Sequence, residues 1–309
     1  MTAKRKIVVI LGPTATGKSK CGIILAQKIG GEIISGDSML VYRGMNIATA
    51  KPSTTELQTV PHHLIDILPP DASFNVVDFK TKAAELIEEI SQRGKVPIIV
   101  GGTGLYLKAL LENYQFAQTQ AQKELRTSLE ALAKKEGKEA LYARLTKIAP
   151  QAAAELKVND NRRLIRAIEV ATEGETVSQA KSSECPYDAV VFGLNMERPV
   201  LYERINARVD EMVQDGIFQE AKQLVEQGVP PYAQSMTSIG YKQILKFMAG
   251  DYDREECINK IKQATRNFAK RQITWYKQMP YIHWFQITPA QDYEKLVNTM
   301  VNYLNKNQL

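Results

Sequence analysis

The chain has 309 residues, 44% of them hydrophobic, which suffices for one large buried core or two smaller ones. No apolar run approaches the roughly 18 residues of a membrane-crossing helix, and Cys21, Cys185 and Cys257 lie far apart with no C-x-x-C pair, which argues against a disulfide framework or a zinc site. The net charge of +6 and a pI near 9.0 favour an acidic partner such as nucleic acid.

In chain order, Lys6–Leu11 (KIVVIL) is a short β-branched run of the kind a buried parallel strand requires. The basic Lys4–Lys6 ahead of it imitates a secretion signal, but the apolar stretch is too short and ends in a glycine-rich turn, so the cytoplasm is the expected compartment. That turn, Gly12–Ser19 (Gly12, Pro13, Thr14, Ala15, Thr16, Gly17, Lys18, Ser19), has the P-loop spacing G-x-x-x-x-G-K-[ST]. Its glycines let successive backbone N–H groups converge on an anion, and a helix starting near Lys18 adds its positive end. Lys18 supplies a mobile charge and the Ser19 hydroxyl a ligand for Mg²⁺, the expected cofactor.

Strand GEIIS, helix VVDFKTKAAELIEEISQRG and strand VPIIV follow, and GGTGLYLKALL turns from strand into helix. This alternation predicts a mostly parallel sheet flanked by helices, with the site beyond the carboxyl ends of its strands, where Gly12, Asp37 and Thr103 converge. His62–His63 reads as a structural pair in a loop or strand, since adjacent histidines do not share a strand face.

Strand signals vanish near residue 117, and Leu125, Leu129 and Leu132 recur at helical spacing. Asn159 or Asp160 caps a further helix that Gly174 stops. Residues 117–188 are therefore expected as an all-helical insertion between 1–116 and 189–309 of an α/β P-loop core. AVVFGLNM (189–196) returns to the sheet, and the remainder reads as helical, with Leu201, Ile205, Val209 and Met212 as an apolar stripe. Two acid-free basic clusters stand out: Arg162, Arg163 and Arg166, and a strip from Lys260 to Lys277 interleaved with Phe268, Trp275 and Tyr276. Each reads either as a solvated helix face or as a nucleic-acid surface.

The usual owner of a P-loop is ATP or another nucleoside triphosphate, in a kinase or ATPase with a second acid for Mg²⁺ at a neighbouring strand end. Here VPIIV ends in Gly101–Gly102–Thr103 without an acid, whereas Asp37 follows the second strand. One carboxylate beside a phosphate cradle suits a general base, a helix cap or a metal ligand.

GPTATGKS, GDSMLVYRGMNIATAKP, PHHLID, GGTGLYLKAL, NDNRRLIRAIEV, LYERINARVDEM, SIGYKQIL and ATRNFAKRQITWYK occur in this order. From residue 7 to about 285 the chain resembles the tRNA dimethylallyltransferases, also called tRNA isopentenyltransferases; no zinc-finger pattern follows, as in the bacterial form. The resemblance implies transfer of a five-carbon prenyl group from dimethylallyl diphosphate to the exocyclic amine of the adenosine 3′ of the anticodon. It places the diphosphate on Gly12–Ser19, makes Asp37 the base, Thr103 a hydrogen-bonding partner at the reaction centre, and Arg208 a diphosphate contact from the opposite side. It implies tRNA contacts at Asp37, Ser38, Met39, Leu40, Thr103, Arg126, Asn161, Arg162, Arg163, Leu164 and Arg166. Gly240, Tyr241, Lys242, Arg266, Lys270 and Arg271 complete that set. The expected partners are the tRNA anticodon stem-loop and dimethylallyl diphosphate, with no membrane and a monomeric chain. Prenyl transfer to a free adenine nucleotide, or a nucleotide-binding regulator or kinase, are the alternatives; the long insertion and the basic clusters argue against the first, and the missing strand-end acid against the second.

Overall fold

The computed structural model describes residues 4–117, 122–174 and 184–307. Among these residues six strands form one sheet: β1 (Lys6–Leu11), β2 (Gly31–Ser35), β3 (His62–His63), β4 (Val96–Gly101), β5 (Asp188–Asn195) and β6 (Ile282–Gln286). Their order is β3-β2-β4-β1-β5-β6, and every pairing is parallel. The pattern after Met196 reads as continuous helix, and β6 corrects it. IHWFQ is an edge strand paired, among the described residues, only to β5; just Ile282 is buried, so it lacks the continuous apolar run that marks β1 and β5.

Around the sheet run α1 (Lys18–Ile29), α2 (Thr54–Thr59), α3 (Val76–Gln92) and α4 (Gly104–Leu111). The insertion holds α5 (Lys123–Glu136), α6 (Lys138–Ile148), α7 (Pro150–Ala154) and α8 (Asn161–Thr172). After β5 come α9 (Arg198–Gln214), α10 (Ile217–Glu226), α11 (Tyr241–Met248), α12 (Arg254–Tyr276) and α13 (Tyr293–Lys306). Among the described residues no helix is long and apolar enough to cross a membrane.

The central strands are apolar on both faces because both are covered. Ile7, Val9 and Leu11 of β1 join one core with Ile34, Ile99 and Val191, while Val8 and Ile10 join a second with Ile33, Ile98 and Val190. That period-2 division of a continuous hydrophobic run is what a doubly covered parallel sheet demands. Helix starts are fixed locally: Asn75 and Asp78 form a capping box on α3, and the Asp160 carboxylate accepts the Arg163 N–H at the start of α8, each worth about 1 kcal/mol.

The chain divides into two compact units, 1–112 with 184–309 and Asn113–Ser183. The sequence boundary at 188 follows residues 175–183, which lie outside the described residues, and β5 begins at Asp188. The helical unit has its own core of Leu129, Leu141, Leu145, Leu164, Ala167 and Ile168.

Candidate active site

Because the strands are parallel and in register, their carboxyl ends align. Leu11 pairs with Gly101 and Ser35 with Val100, so the P-loop, the Gly36–Asp37 turn and Gly102–Thr103 emerge side by side at the point where strand order reverses. In the P-loop, Gly17 has φ +83° and Ala15, which the motif leaves unspecified, also sits at φ +65°; this alternation curls the backbone into a donor-lined cradle. The Thr16 hydroxyl and the Lys18 ammonium both donate to the Pro13 carbonyl, at 2.9 and 2.8 Å.

Asp37 is half-buried, and its Oδ1 accepts the Met39 N–H at 2.8 Å, closing a local turn. Thr103 Oγ1 accepts the Ser38 N–H at 3.1 Å, and the Thr103 N–H donates to the Gly36 carbonyl at 3.3 Å. These bonds join the Asp37 turn to the end of β4. Arg208 comes from α9, one turn beyond Arg204, and is half-buried.

A cavity of about 320 Å³ brings these groups together. Thr14, Ala15, Asp37, Ser38, Thr103 and Arg208 form its polar part. Ile205, Val209, Met212, Ile217, Ile239 and Phe268 make much of the rest apolar. Burial pushes the Lys18 ammonium down to about 8, aided by Arg208 and opposed by Asp37. Burial raises the Asp37 carboxyl above its ordinary range, against the Met39 N–H and the nearby Lys18 and Arg208 charges. Arg208 is lowered by burial first and by Arg204, with Glu211 pulling the other way. Two of these charges line the cavity and the third, Lys18, interacts with both; charges shifted mainly by desolvation concentrate at functional sites.

Ser19 is exposed on the first turn of α1, and among the described residues no group of three or more His, Cys, Asp or Glu could hold a metal ion. Such a donor set fits a hard cation that takes most of its ligands from phosphate oxygens and water, as Mg²⁺ does, rather than one held in an all-protein cage. His62 and His63 are engaged in the structure: ring nitrogens meet the Val60 carbonyl and the Glu32 carboxylate, both at 2.8 Å.

The basic helix α12 has a second face that the sequence does not announce. Gln272 Oε1 accepts the Thr14 N–H at 2.9 Å while its Nε2 donates to the Gly102 carbonyl at 2.8 Å. The buried Tyr276 hydroxyl lies 3.2 Å from the Gly12 carbonyl and 2.8 Å from that of Gly102. From α13, the Tyr293 hydroxyl reaches the Thr16 carbonyl at 3.2 Å. On the other face Lys270, Arg271 and Lys277 are exposed, while Lys262 pairs with Asp210 and Arg266 donates to Asn206. Trp275 is half-buried against Gly104, with the Lys108 ammonium over its ring at 5.8 Å.

The structure therefore gathers Asp37, Ser38, Met39, Thr103, Arg208, Gly240 and Arg271 at the cavity, whereas Leu40 is half-buried and does not line it. Lys242 is exposed; Tyr241 is wholly buried, with its hydroxyl on Glu220, so its side chain offers no surface to an RNA. In the helical unit, Leu164 is likewise wholly buried in the core because its helix turns the apolar face inward. Arg162 and Arg163 are exposed there, Arg163 pairing with Asp160 at 3.4 Å, and Asn161 stands half-buried at the start of α8. Arg126 grips Glu169 with two nitrogens, at 2.6 and 2.9 Å, and Arg166 approaches it at 3.4 Å.

A family model described as IPP transferase matches residues 40–279. The tRNA dimethylallyltransferase of Halalkalibacterium halodurans is 45% identical over 306 residues, covering 97% of each chain. The chain belongs to the IPP transferase family. The tRNA dimethylallyltransferase of Geobacillus kaustophilus is 44% identical over 97% of this chain and 96% of its own. Among solved structures, the tRNA isopentenylpyrophosphate transferase of Bacillus halodurans superposes with a TM-score of 0.74 at 42% identity, covering 99% of this chain and 98% of that one. A eukaryotic dimethylallyltransferase acting on tRNA gives a TM-score of 0.84 at 29% identity, over 98% of this chain and 79% of that one. The mostly parallel α/β sheet is thus the fold of this family.

Proposed function

We propose that this chain transfers the dimethylallyl group of dimethylallyl diphosphate to the exocyclic amine of the adenosine 3′-adjacent to the anticodon of a tRNA, releasing diphosphate. The observation that carries this reading is the meeting of a P-loop, a single desolvated carboxylate and an opposing arginine on one half-apolar cavity. Relatives named tRNA dimethylallyltransferase over nearly the whole chain support it.

In the proposed reaction the allylic C–O bond breaks and its electron pair leaves with the diphosphate. The amine nitrogen bonds to the allylic carbon and its proton passes to Asp37. Negative charge grows on the departing diphosphate, and backbone N–H groups of Gly12–Ser19, Lys18 and Arg208 are the donors suited to it. Ser19 would hold Mg²⁺ on the diphosphate, where the ion supplies further charge neutralisation. Thr103, bonded to the Asp37 turn, fixes the base relative to the strand ends. Asp37, raised by burial, is a stronger base than a solvated carboxylate. The base must leave the anticodon loop to reach the cavity, at a cost of a few kcal/mol that RNA contacts elsewhere offset. Arg162, Lys270, Arg271 and Lys277 are exposed and suited to those contacts. The proposed enzyme works as a cytoplasmic monomer.

The test offers the protein radiolabelled dimethylallyl diphosphate and Mg²⁺ with one acceptor at a time: unmodified tRNA, an isolated anticodon stem-loop, AMP or ATP. Label should enter tRNA, enter the stem-loop more weakly, and leave the nucleotides bare. Efficient labelling of AMP or ATP with tRNA unlabelled would replace this reading by transfer to a free nucleotide, and ATP consumed in step with turnover by a kinase or ATPase.

A further inference from the structure

Three stretches far apart in sequence meet on one buried carboxylate. Glu220, 8% exposed in the first turn of α10, accepts the N–H groups of Asn46 at 2.7 Å, Ile47 at 2.8 Å and Ala48 at 3.2 Å. The Tyr241 hydroxyl, itself wholly buried, donates to its Oε1 at 2.6 Å. Consecutive amides converging on an anion form a concave cradle, so the glutamate binds this loop as a phosphate binds a P-loop. No group of the proposed reaction belongs to the cluster, yet every strand of it ends in the cavity wall. Ala48, Thr49 and Ala50 continue the held loop, Ile217 lies one turn before Glu220, and Gly240 precedes Tyr241; all line the cavity. The two loops are tightly apposed, since a Cβ on Gly240, at φ +96°, would stand 2.9 Å from the Ala48 Cβ.

We propose that Glu220 is a positioning residue that fixes this wall and so restricts the allylic donor to a single five-carbon unit. The inference rests on the prenyl-transfer reading above. Ile205, Val209, Met212 and Ile217 give the cavity the apolar lining that suits a donor tail, and the small Ala48 and Ala50 line the same cavity, Ala48 and Ile217 both lying against Gly240. A longer chain fits only if that wall yields. Carboxylate oxygens are needed because both carry several donors; a glutamine turns an NH₂ toward backbone N–H groups and leaves at least one unsatisfied.

The experiment compares wild type with Glu220→Gln and Tyr241→Phe in steady-state transfer from dimethylallyl and from geranyl diphosphate to tRNA, with amide hydrogen exchange of 46–48 followed in parallel. Glu220→Gln should lower the preference in kcat/KM for the shorter donor by about tenfold, mostly through donor KM. Exchange at 46–48 should accelerate by a similar factor while that of the P-loop stays unchanged. Tyr241→Phe, which leaves the three amides in place, should change both by only about two- to threefold, and it carries the test if Glu220→Gln does not fold. Unchanged exchange at 46–48 would overturn the clamp, and so would a lowered melting temperature with the donor preference intact. A wild type that transfers no prenyl group sinks the reaction instead, and the exchange measurement still judges the clamp.

Discussion

The cavity and the helical unit both concentrate charge, but they hold it in opposite ways. Asp37 and Arg208 line one cavity and the half-buried Lys18 of the P-loop interacts with both charges, yet among the described residues none of the three forms an ion pair. In the helical unit Arg126 and Arg166 converge on Glu169, which is fully buried. Burial pushes the Glu169 carboxyl up, yet the fork from Arg126 and the bond from Arg166 bring it below the ordinary range. Charges that compensate one another in this way organise a fold. Charges kept apart in a low-dielectric space remain available to a ligand, and their shifted titration records the cost of keeping them so.

The largest effect that tests this contrast is at Asp37. Asp37→Asn keeps the shape and the Met39 bond but removes the proton acceptor, so turnover should fall by about 10²–10⁴ with tRNA affinity nearly intact. The acid limb of the wild-type rate profile should lie above the ordinary carboxylate range and disappear in the variant. Near-normal turnover removes Asp37 from the base role.

Lys18 comes next. Its pKa falls from the ordinary lysine value to about 8, so the folded protein binds fewer protons than the unfolded chain between pH 8 and the lysine range. Stability should therefore rise with pH across that window, the reverse of a paired lysine. A diphosphate needs the protonated form, so donor KM should climb above pH 8. Lys18→Ala should raise donor KM by about one to two orders of magnitude and abolish both dependences. A wild-type KM that stays flat from pH 7 to 9.5 would contradict this.

The phosphate cradle was legible because its chemistry is local: spacing, glycines and strand run are consecutive in sequence. So were β1, β2, β4 and β5, whose apolar runs reflect burial on both faces. The edge strand β6 is largely exposed, and Ile282, Trp284 and Phe285 after Pro280 are its only signal. Non-local polar contacts left no trace at all. Gln272 and Tyr276 lie in a stretch whose composition reads as nucleic-acid contact, and only the three-dimensional path turns them toward Gly12, Thr14 and Gly102. Glu220 looks like any surface glutamate of an amphipathic helix until the 46–48 loop arrives on it. Leu164 and Arg126 show the converse: motif resemblance marks a position and cannot say whether the side chain faces outward.

Glu169→Gln tests the other half of the contrast. Removing a buried carboxylate from two arginines costs several kcal/mol when all partners are buried, and about 2 kcal/mol here because both guanidiniums are partly solvated. Thermal unfolding followed by helicity should show that loss, with prenyl transfer at saturating tRNA little changed. A variant of unchanged stability and tighter tRNA binding would mean that Arg126 and Arg166 are held back from RNA rather than used to build the unit.

The smallest effect separates neighbouring arginines of one cluster. Arg162 is exposed, whereas Arg166 leans on Glu169 and on the Ala117 carbonyl at 3.4 Å. If Arg162 meets a tRNA phosphate, Arg162→Ala releases one fewer counterion. The slope of log affinity against log salt should then flatten by about one unit. Affinity at low salt should weaken a few-fold, and turnover at saturating tRNA should hold, because no reacting group has moved. Arg166→Ala should leave the salt slope closer to wild type and instead lower stability, since its charge already serves Glu169. Equal slope changes in the two variants would erase the distinction between committed and available charge within the cluster. An unaltered slope in both would make 162–166 a solvated helix face, with the α12 surface left to provide the RNA contacts.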